Sequence, residues 1–260
     1  MSIINNLMAT ILSFIFDFVN SYGFSIILFT IFIKLLLLPL TIKQTKSTKA
    51  MQDIQPKIQE IQLKYKDKPE KQSQEIMELY KEAKINPMAG CLPLLIQMPI
   101  LIGLFSVLRE PWVYGIFENQ VAYEAADTSF LFLSNLTQAG NMGDILSGQI
   151  QVENLIMAIL SGGSSYLMQT VMMPNDPKQQ ETMKTMTYVM TIMSFVWGYT
   201  FPAGLALYWV VSNVFSIAQY YLVMNPLKAK LESESTVDLK VAVTKEEDAK
   251  KNGKKHKNQK

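Results

Sequence analysis

The chain has 260 residues, of which 49% are hydrophobic and only 18% charged, against roughly a quarter charged in a soluble domain, so the composition points towards a membrane. Lys and Arg total 24 and Asp and Glu 22, a net charge of +2 that marks no overall field for nucleic acid. One cysteine, Cys91, and one histidine, His256, exclude an internal disulfide, a His-built zinc centre and a Ser-His-Asp triad, and no cofactor or metal is expected.

Residues 1–23 hold no Lys or Arg, which argues against the basic start of a signal peptide. Ile4, Leu7, Met8, Ile11, Leu12, Ile15 and Val19 recur at spacings of three and four, the pattern of a helix with one apolar stripe. This segment is expected to lie on the outer leaflet as an interfacial helix, with a cleaved signal as the competing reading.

A bilayer core of about 30 Å calls for roughly 20 mostly apolar residues in a helix, because a helix satisfies its own backbone in lipid. Five stretches meet this need: residues 24–42, 88–109, 151–173, 183–201 and 202–224. The predicted fold is therefore an all-α integral membrane protein with five transmembrane helices.

Lys34 falls inside the first of them. A charge at the centre of a span costs about 2.5–3.5 kcal/mol even on the lenient insertion scale, so it normally faces protein or water. Lys43 at the end of the span lies roughly 13 Å further along the helix, and side chains lean towards a helix N-terminus, away from that end. Snorkelling is therefore awkward, and a hydrated internal cavity is the favoured reading. Thr30, four residues earlier, extends the polar stripe.

Residues 43–87 form a soluble connection in which Met51, Ile54, Ile58, Ile61 and Tyr65 share one helical face. Pro56 is best tolerated in a first turn, so a helix restart is expected there. A second pattern through Ile76, Leu79, Tyr80 and Ala83 completes two antiparallel amphipathic helices, either a spacer or a movable docking arm. Residues 110–150 carry five acidic residues and no Lys or Arg. Residues 198–204, with two glycines and Pro202, break the last apolar run into a tight hairpin, against the alternative of one long tilted helix.

The connection 43–87 holds ten lysines, the link 174–182 one, and the tail 225–260 another ten. Positively charged loops stay in the cytoplasm, which places the N-terminus outside and the C-terminus inside, with Arg109 as the dissenter. The tail ends in six lysines within eleven residues and has nothing apolar there to bury, so it is expected to be disordered, and its charge suits anionic headgroups or ribosomal RNA.

No acid lies deep in the later spans to neutralise Lys34. They offer Gln97, the run Ser161-Gly-Gly-Ser-Ser165, Tyr208, Ser212, Asn213, Ser216 and Gln219, although small residues are also what close helix packing selects. Met183, Met186, Met190 and Met193 share one face of the fourth span, a soft surface suited to varied apolar partners or to lipid.

The run Lys84-Ile-Asn-Pro-Met-Ala-Gly-Cys-Leu-Pro-Leu-Leu-Ile-Gln-Met-Pro-Ile100 closely resembles the signature of the YidC membrane protein insertases. Tyr22-Gly-Phe-Ser-Ile-Ile resembles the first core span of that family. Gln55-Pro-Lys-Ile-Gln59 and Gln74-Glu-Ile-Met-Glu-Leu-Tyr-Lys81 resemble its cytoplasmic hairpin, and Phe201-Pro-Ala-Gly-Leu-Ala-Leu-Tyr-Trp-Val-Val-Ser-Asn213 its last hairpin. The resemblance covers about residues 22–224 and implies the compact bacterial, Gram-positive-like type. It implies a bacterial cell-membrane protein whose five helices surround a hydrophilic groove open to cytoplasm and lipid.

In that groove Lys34 stands where arginine is usual, keeping the charge but losing the planar fork. Thr30, Gln97, Tyr208 and Trp209 are the expected lining, Trp209 standing where tyrosine is common. Met98, Pro99, Leu101 and Trp197 are the expected slide for a client helix. The implied activity is insertion of nascent membrane proteins without covalent chemistry, with or without the Sec channel, in contact with the phospholipid bilayer and with the ribosome through tail or hairpin. A small-anion channel or transporter using Lys34 is the rival reading.

Overall fold

The computed structural model describes residues 2–86, 92–173, 177–227 and 229–230. The expected start of the second span at residues 88–91 and the lysines from Lys240 onward lie outside them. The described residues form helices α1 (Ser2–Val19), α2 (Tyr22–Lys64), α3 (Pro69–Glu82), α4 (Leu92–Arg109), α5 (Gln120–Ala125), α6 (Met142–Leu146), α7 (Val152–Val171), α8 (Pro177–Thr200) and α9 (Ala203–Gln219), the last running into a π-helical turn, Tyr220–Met224. An isolated bridge between Phe130 and Leu133 is the β-structure among them.

Two of these helices are long and apolar enough to cross a membrane: α2, and the run Ala203–Leu227 that α9 begins. Helices α4 and α7 fall within the expected spans 88–109 and 151–173, whereas α8 begins at Pro177, six residues before the expected span 183–201, and takes in part of the expected link 174–182; Ser161, Ser164 and Ser165 in α7 and Lys178, Glu181 and Lys184 in α8 make these two helices more polar.

Helix α2 corrects the expected restart at Pro56. It runs unbroken for 43 residues with both Pro39 and Pro56 in its interior. Each proline removes one backbone hydrogen bond, but Met51, Gln52, Gln55, Lys57, Gln59 and Glu60 flank Pro56 with good helix formers, and propagation through them is cooperative. Helix α3 then folds back: Gln72 Nε2 donates to the carbonyl of Gln62 at 3.0 Å, and Tyr65 Oη donates to Glu75 at 3.2 Å.

Helix α1 packs on α4 and α2. It buries Asn5, Met8, Ala9 and Leu12 while Leu7, from the expected apolar stripe, stays exposed beside Ile3, Phe14 and Phe18. The helix is apolar on both sides, and its inner side sits closely on α4 at Gly103, where Met8 and Asn5 fill the space a Cβ would need.

Helix α9 is the centre of the bundle, touching α2, α4, α7 and α8. The segment between α4 and α7, with its five acidic residues, also sends Ile116, Phe117, Tyr123, Phe130, Leu133 and Leu136 into the core. It closes one end of the bundle through the backbone. Gly140 N–H donates to Tyr199 O, Ala203 N–H to Gln138 O and Gly204 N–H to Leu136 O, at 2.9, 3.0 and 2.7 Å. These bonds satisfy groups that helix ends leave without intrahelical partners.

Helices α7 and α8 approach closely where Gly198 meets Ser161; a Cβ on Gly198 would lie 2.7 Å from Ser161 Cβ and 3.0 Å from Ala158 Cα. Gly162 packs towards Phe195, whereas Gly163 faces open space, so only one of the glycine pair serves the contact. Gly198→Val is expected to cost about 1–3 kcal/mol through overpacking, and Gly163→Ala to be neutral or to stabilise by up to about 1 kcal/mol through helix propensity. Thermal unfolding of both variants in detergent checks the contrast.

Candidate functional site

Tyr208, Ser212, Ser216 and Gln219 recur at spacings of four, four and three, which sets them in one line along α9, and all four are buried. Lys34 reaches this line from α2: its Nζ donates to Ser216 Oγ at 3.1 Å, and Ser216 Oγ donates in turn to the carbonyl of Ser212 at 2.8 Å. The ammonium therefore meets a hydroxyl whose own proton is already engaged, leaving its oxygen lone pairs to face the charge. Gln219 Nε2, one turn further on, is buried with no hydrogen-bond partner.

Helix α4 adds Gln97, whose Nε2 donates to the Tyr208 hydroxyl at 2.8 Å. Thr30 is fully buried, and its hydroxyl turns back to donate to Ile26 O in its own helix at 2.6 Å. It fills space near the polar line without offering a free group.

Trp209 lies elsewhere. Adjacent positions on a helix differ by about 100°, so Trp209 faces α7 while Tyr208 faces α2 and α4. Its Nε1 donates to Ser165 Oγ at 3.0 Å, and Asn213 Nδ2 donates to Ser164 Oγ and Ser165 Oγ at 3.1 and 2.9 Å. Those serines thus clamp α7 to α9 rather than line the space beside Lys34.

The expected slide also divides. Gln97, Leu101, Leu104 and Leu108 form the inner face of α4, and Leu101 is only 7% exposed; it is a core residue. Met98 and Pro99 are half-buried, and Leu95 and Ile102 are exposed on the open side. From there an aromatic row crosses to α8: Phe105 to Phe201 at 5.5 Å, Phe201 to Trp197 at 5.9 Å, and Trp197 to Trp209 at 5.7 Å between ring centroids. A small, shallow cleft lies along it, lined by Trp197, Phe201, Leu205 and Trp209 among others. Met183, Met186 and Met193 are exposed further along α8.

In the sequence Ser216 is one polar residue among many. Its place four residues from Ser212 and eight from Tyr208 was the available signal, but which of the α9 faces would meet α2 was not. Among the described residues no three His, Cys, Asp or Glu side chains gather to hold a metal.

An all-helical bundle with long apolar helices around a half-buried lysine and a line of hydroxyls is the framework of a transmembrane helical protein. The pattern of the family described as 60Kd inner membrane protein matches residues 14–230. The chain is 40% identical over 224 residues to the membrane protein insertase YidC of Oceanobacillus iheyensis, covering 82% of this chain and 78% of that protein. It is 39% identical over 254 residues to the membrane protein insertase YidC of Clostridium perfringens, covering 91% and 97%. A solved structure described as an active YidC insertase with its first transmembrane domain resolved superimposes with a TM-score of 0.61 at 30% identity, over 85% of this chain and 46% of that one. The chain belongs to the YidC family of membrane protein insertases, proteins that carry out no covalent chemistry.

Asn213→Leu removes two hydrogen bonds, to the hydroxyls of Ser164 and Ser165. It is expected to destabilise the bundle by about 1–3 kcal/mol, at about 0.5–1.5 kcal/mol for each net hydrogen bond lost, as a lowered unfolding temperature in detergent would show.

Proposed function

We propose that the protein moves nascent membrane proteins from the cytoplasm into the bilayer, through a groove in which Lys34 receives the acidic outer segment of the client. The observation that carries this reading is the Lys34 ammonium itself, which has a serine hydroxyl and no carboxylate as its hydrogen-bond partner among the described residues. A cation in an apolar bundle with no resident counter-charge attracts a transient one, and the attraction is strengthened where the dielectric is low. Drawing the client's polar segment part-way into the bilayer thickness shortens the barrier it must cross.

In this reading α2, α4, α7, α8 and α9 are the five spans and α1 an interfacial helix. The positive-inside rule puts the Lys-rich α2–α3 connection and the C-terminus in the cytoplasm. The apolar client helix leaves along the open side of α4 and the aromatic row of α8, where Met98, Pro99 and Trp197 lie and where Leu95 and Ile102 take the place expected of Leu101. Its transfer to lipid, at about 25 cal/mol per Å² of apolar surface, supplies the driving force. The tail and the α2–α3 connection dock the ribosome, and the Sec channel is an optional partner. The backbone-bonded loop across one end of the bundle argues against the rival anion channel, which needs a through-path.

In proteoliposomes, Lys34→Arg is expected to retain insertion. Lys34→Ala is expected to slow clients with acidic outer segments about tenfold or more, equivalent to about 1.4 kcal/mol or more on the barrier, while sparing clients without them. Unchanged insertion of acidic clients by Lys34→Ala at equal protein level would sink the electrostatic step, and saturable flux of a small anion would favour the channel.

A photo-crosslinker at Met98 or Trp197 is expected to capture a stalled client helix, and one at Arg109 to capture little. Equal yields at all three positions would mean that no defined exit lane exists.

A further inference from the structure

Phe130 and Leu133 exchange both backbone hydrogen bonds, each 2.9 Å, which makes Leu131-Phe132 a two-residue turn. Such turns need a residue with positive φ and normally place glycine, asparagine or aspartate there. Here Leu131 occupies that position with φ 55°, a genuine outlier for a bulky side chain. Packing inside the protein gives it no return, since Leu131 is 82% exposed and Phe132 46%. An apolar pair has been set at the tip of a turn whose own geometry disfavours it and whose tip the core does not reach.

The base of the turn is held firmly. The Phe130 ring meets Phe24 edge-on at 5.1 Å, and it fills the space over Gly23, where any Cβ would collide with it. Phe24 begins an exposed apolar stripe that continues through Leu28, Phe32 and Leu35 along α2, the membrane-crossing helix. The contact therefore sets the tip beside the N-terminal end of that lipid-facing stripe. Behind the tip the chain turns polar: Ser129 N–H donates to Asp127 Oδ1 at 2.9 Å, and Ser134 donates through N–H and Oγ to Glu153. The hydrogen bonds from Ser129 hold the Asp127 carboxyl below the usual carboxylate range, so this shoulder stays charged and belongs in water.

We propose that Leu131 and Phe132 form a lipid anchor, inserted at the boundary between headgroups and acyl chains of the leaflet at the N-terminal end of α2. Phospholipid is the occupant because the pair extends a surface that already faces lipid, and because an apolar tip above a charged shoulder matches the polarity gradient of a membrane interface. The anchor fixes the height of the loop that closes the bundle end. It rests on α2 spanning the bilayer, and the experiment separates the two.

An environment-sensitive fluorophore is attached to Leu131→Cys, Gln149→Cys or Leu36→Cys, each in a Cys91→Ser background. Each full chain is reconstituted into phosphatidylethanolamine–phosphatidylglycerol vesicles containing lipid spin-labelled near the headgroup or deep in the acyl chain. The label at position 131 is expected to be quenched by the shallow spin label and to be about threefold or more less accessible to aqueous iodide than the label at position 149, as interfacial insertion requires. Leu36, exposed one turn beyond Phe32 on α2, should respond to the deep label. Iodide access at 131 equal to that at 149, with Leu36 still quenched by lipid, would overturn the anchor alone; loss of lipid quenching at both 131 and 36 would overturn the span and the anchor together.

Leu131→Asn provides the second arm, because asparagine suits the turn and keeps the fold. With the reporter on Phe132→Cys, Leu131→Asn is expected to lower lipid quenching while leaving the unfolding temperature in detergent unchanged or raised. Unaltered lipid quenching would mean that packing alone places the tip, and the proposal would fail.

Discussion

The ammonium of Lys34 is bonded to Ser216, and Ser216 to the backbone of its own helix. That short chain of donors imposes conditions on its surroundings. A full charge in a low-dielectric bundle is tolerable only where polar atoms or water face it, so α9 has to turn its line of hydroxyls towards α2. Once that face is committed, the faces of α9 towards α7 and α8 are fixed too. Asn213 and Trp209 can meet only Ser164 and Ser165, and the aromatic row from Trp209 to Phe105 follows from the same rotation. The position of one cation thus settles the rotational setting of the central helix.

The opposite requirement governs the closed end. There the chain between α4 and α7 supplies aromatic and aliphatic side chains to the core and completes the hydrogen bonding of the α8–α9 turn through Gln138, Leu136 and Gly140. The proposed groove and the sealed end are complementary. A hydrated cavity that ran through the whole bundle would leak ions, whereas a cavity stopped by packed rings and satisfied backbone can be wet on one side alone.

The helices themselves were legible because their signals are local: apolar runs, the break at Pro202, and the charge asymmetry of the connections. Lys34 was legible for the same reason, since a charge inside an apolar run is costly wherever it sits. What could not be read was rotation. Leu101 and Met98 are three residues apart in one apolar helix, and only contact with α9 tells which is core. Tyr208 and Trp209 are neighbours in sequence and serve different helices. Gly162 and Gly163 look interchangeable, yet one faces Phe195 and the other nothing. The core residues in the loop between α4 and α7 could not be read for a different reason: they are spaced irregularly, so no period marks them. Pro56 misled because a local penalty was outweighed by the helix on either side of it.

Continuity of α2 carries a mechanical consequence. Its 43 residues make a rod of about 65 Å, which joins the segment holding Lys34 directly to the end gripped by α3. Pro39 and Pro56 each remove one rung of the backbone ladder, opposite the carbonyls of Leu35 and Gln52, so the rod bends most easily at two fixed joints. The first joint lies five residues beyond Lys34. Lys64 is about 37 Å beyond that joint, so a flexure of about 10° there swings the far end by roughly 6 Å, about one helical pitch. Load applied to the polar end of this lever is delivered close to the charge, with no intervening loop to absorb it.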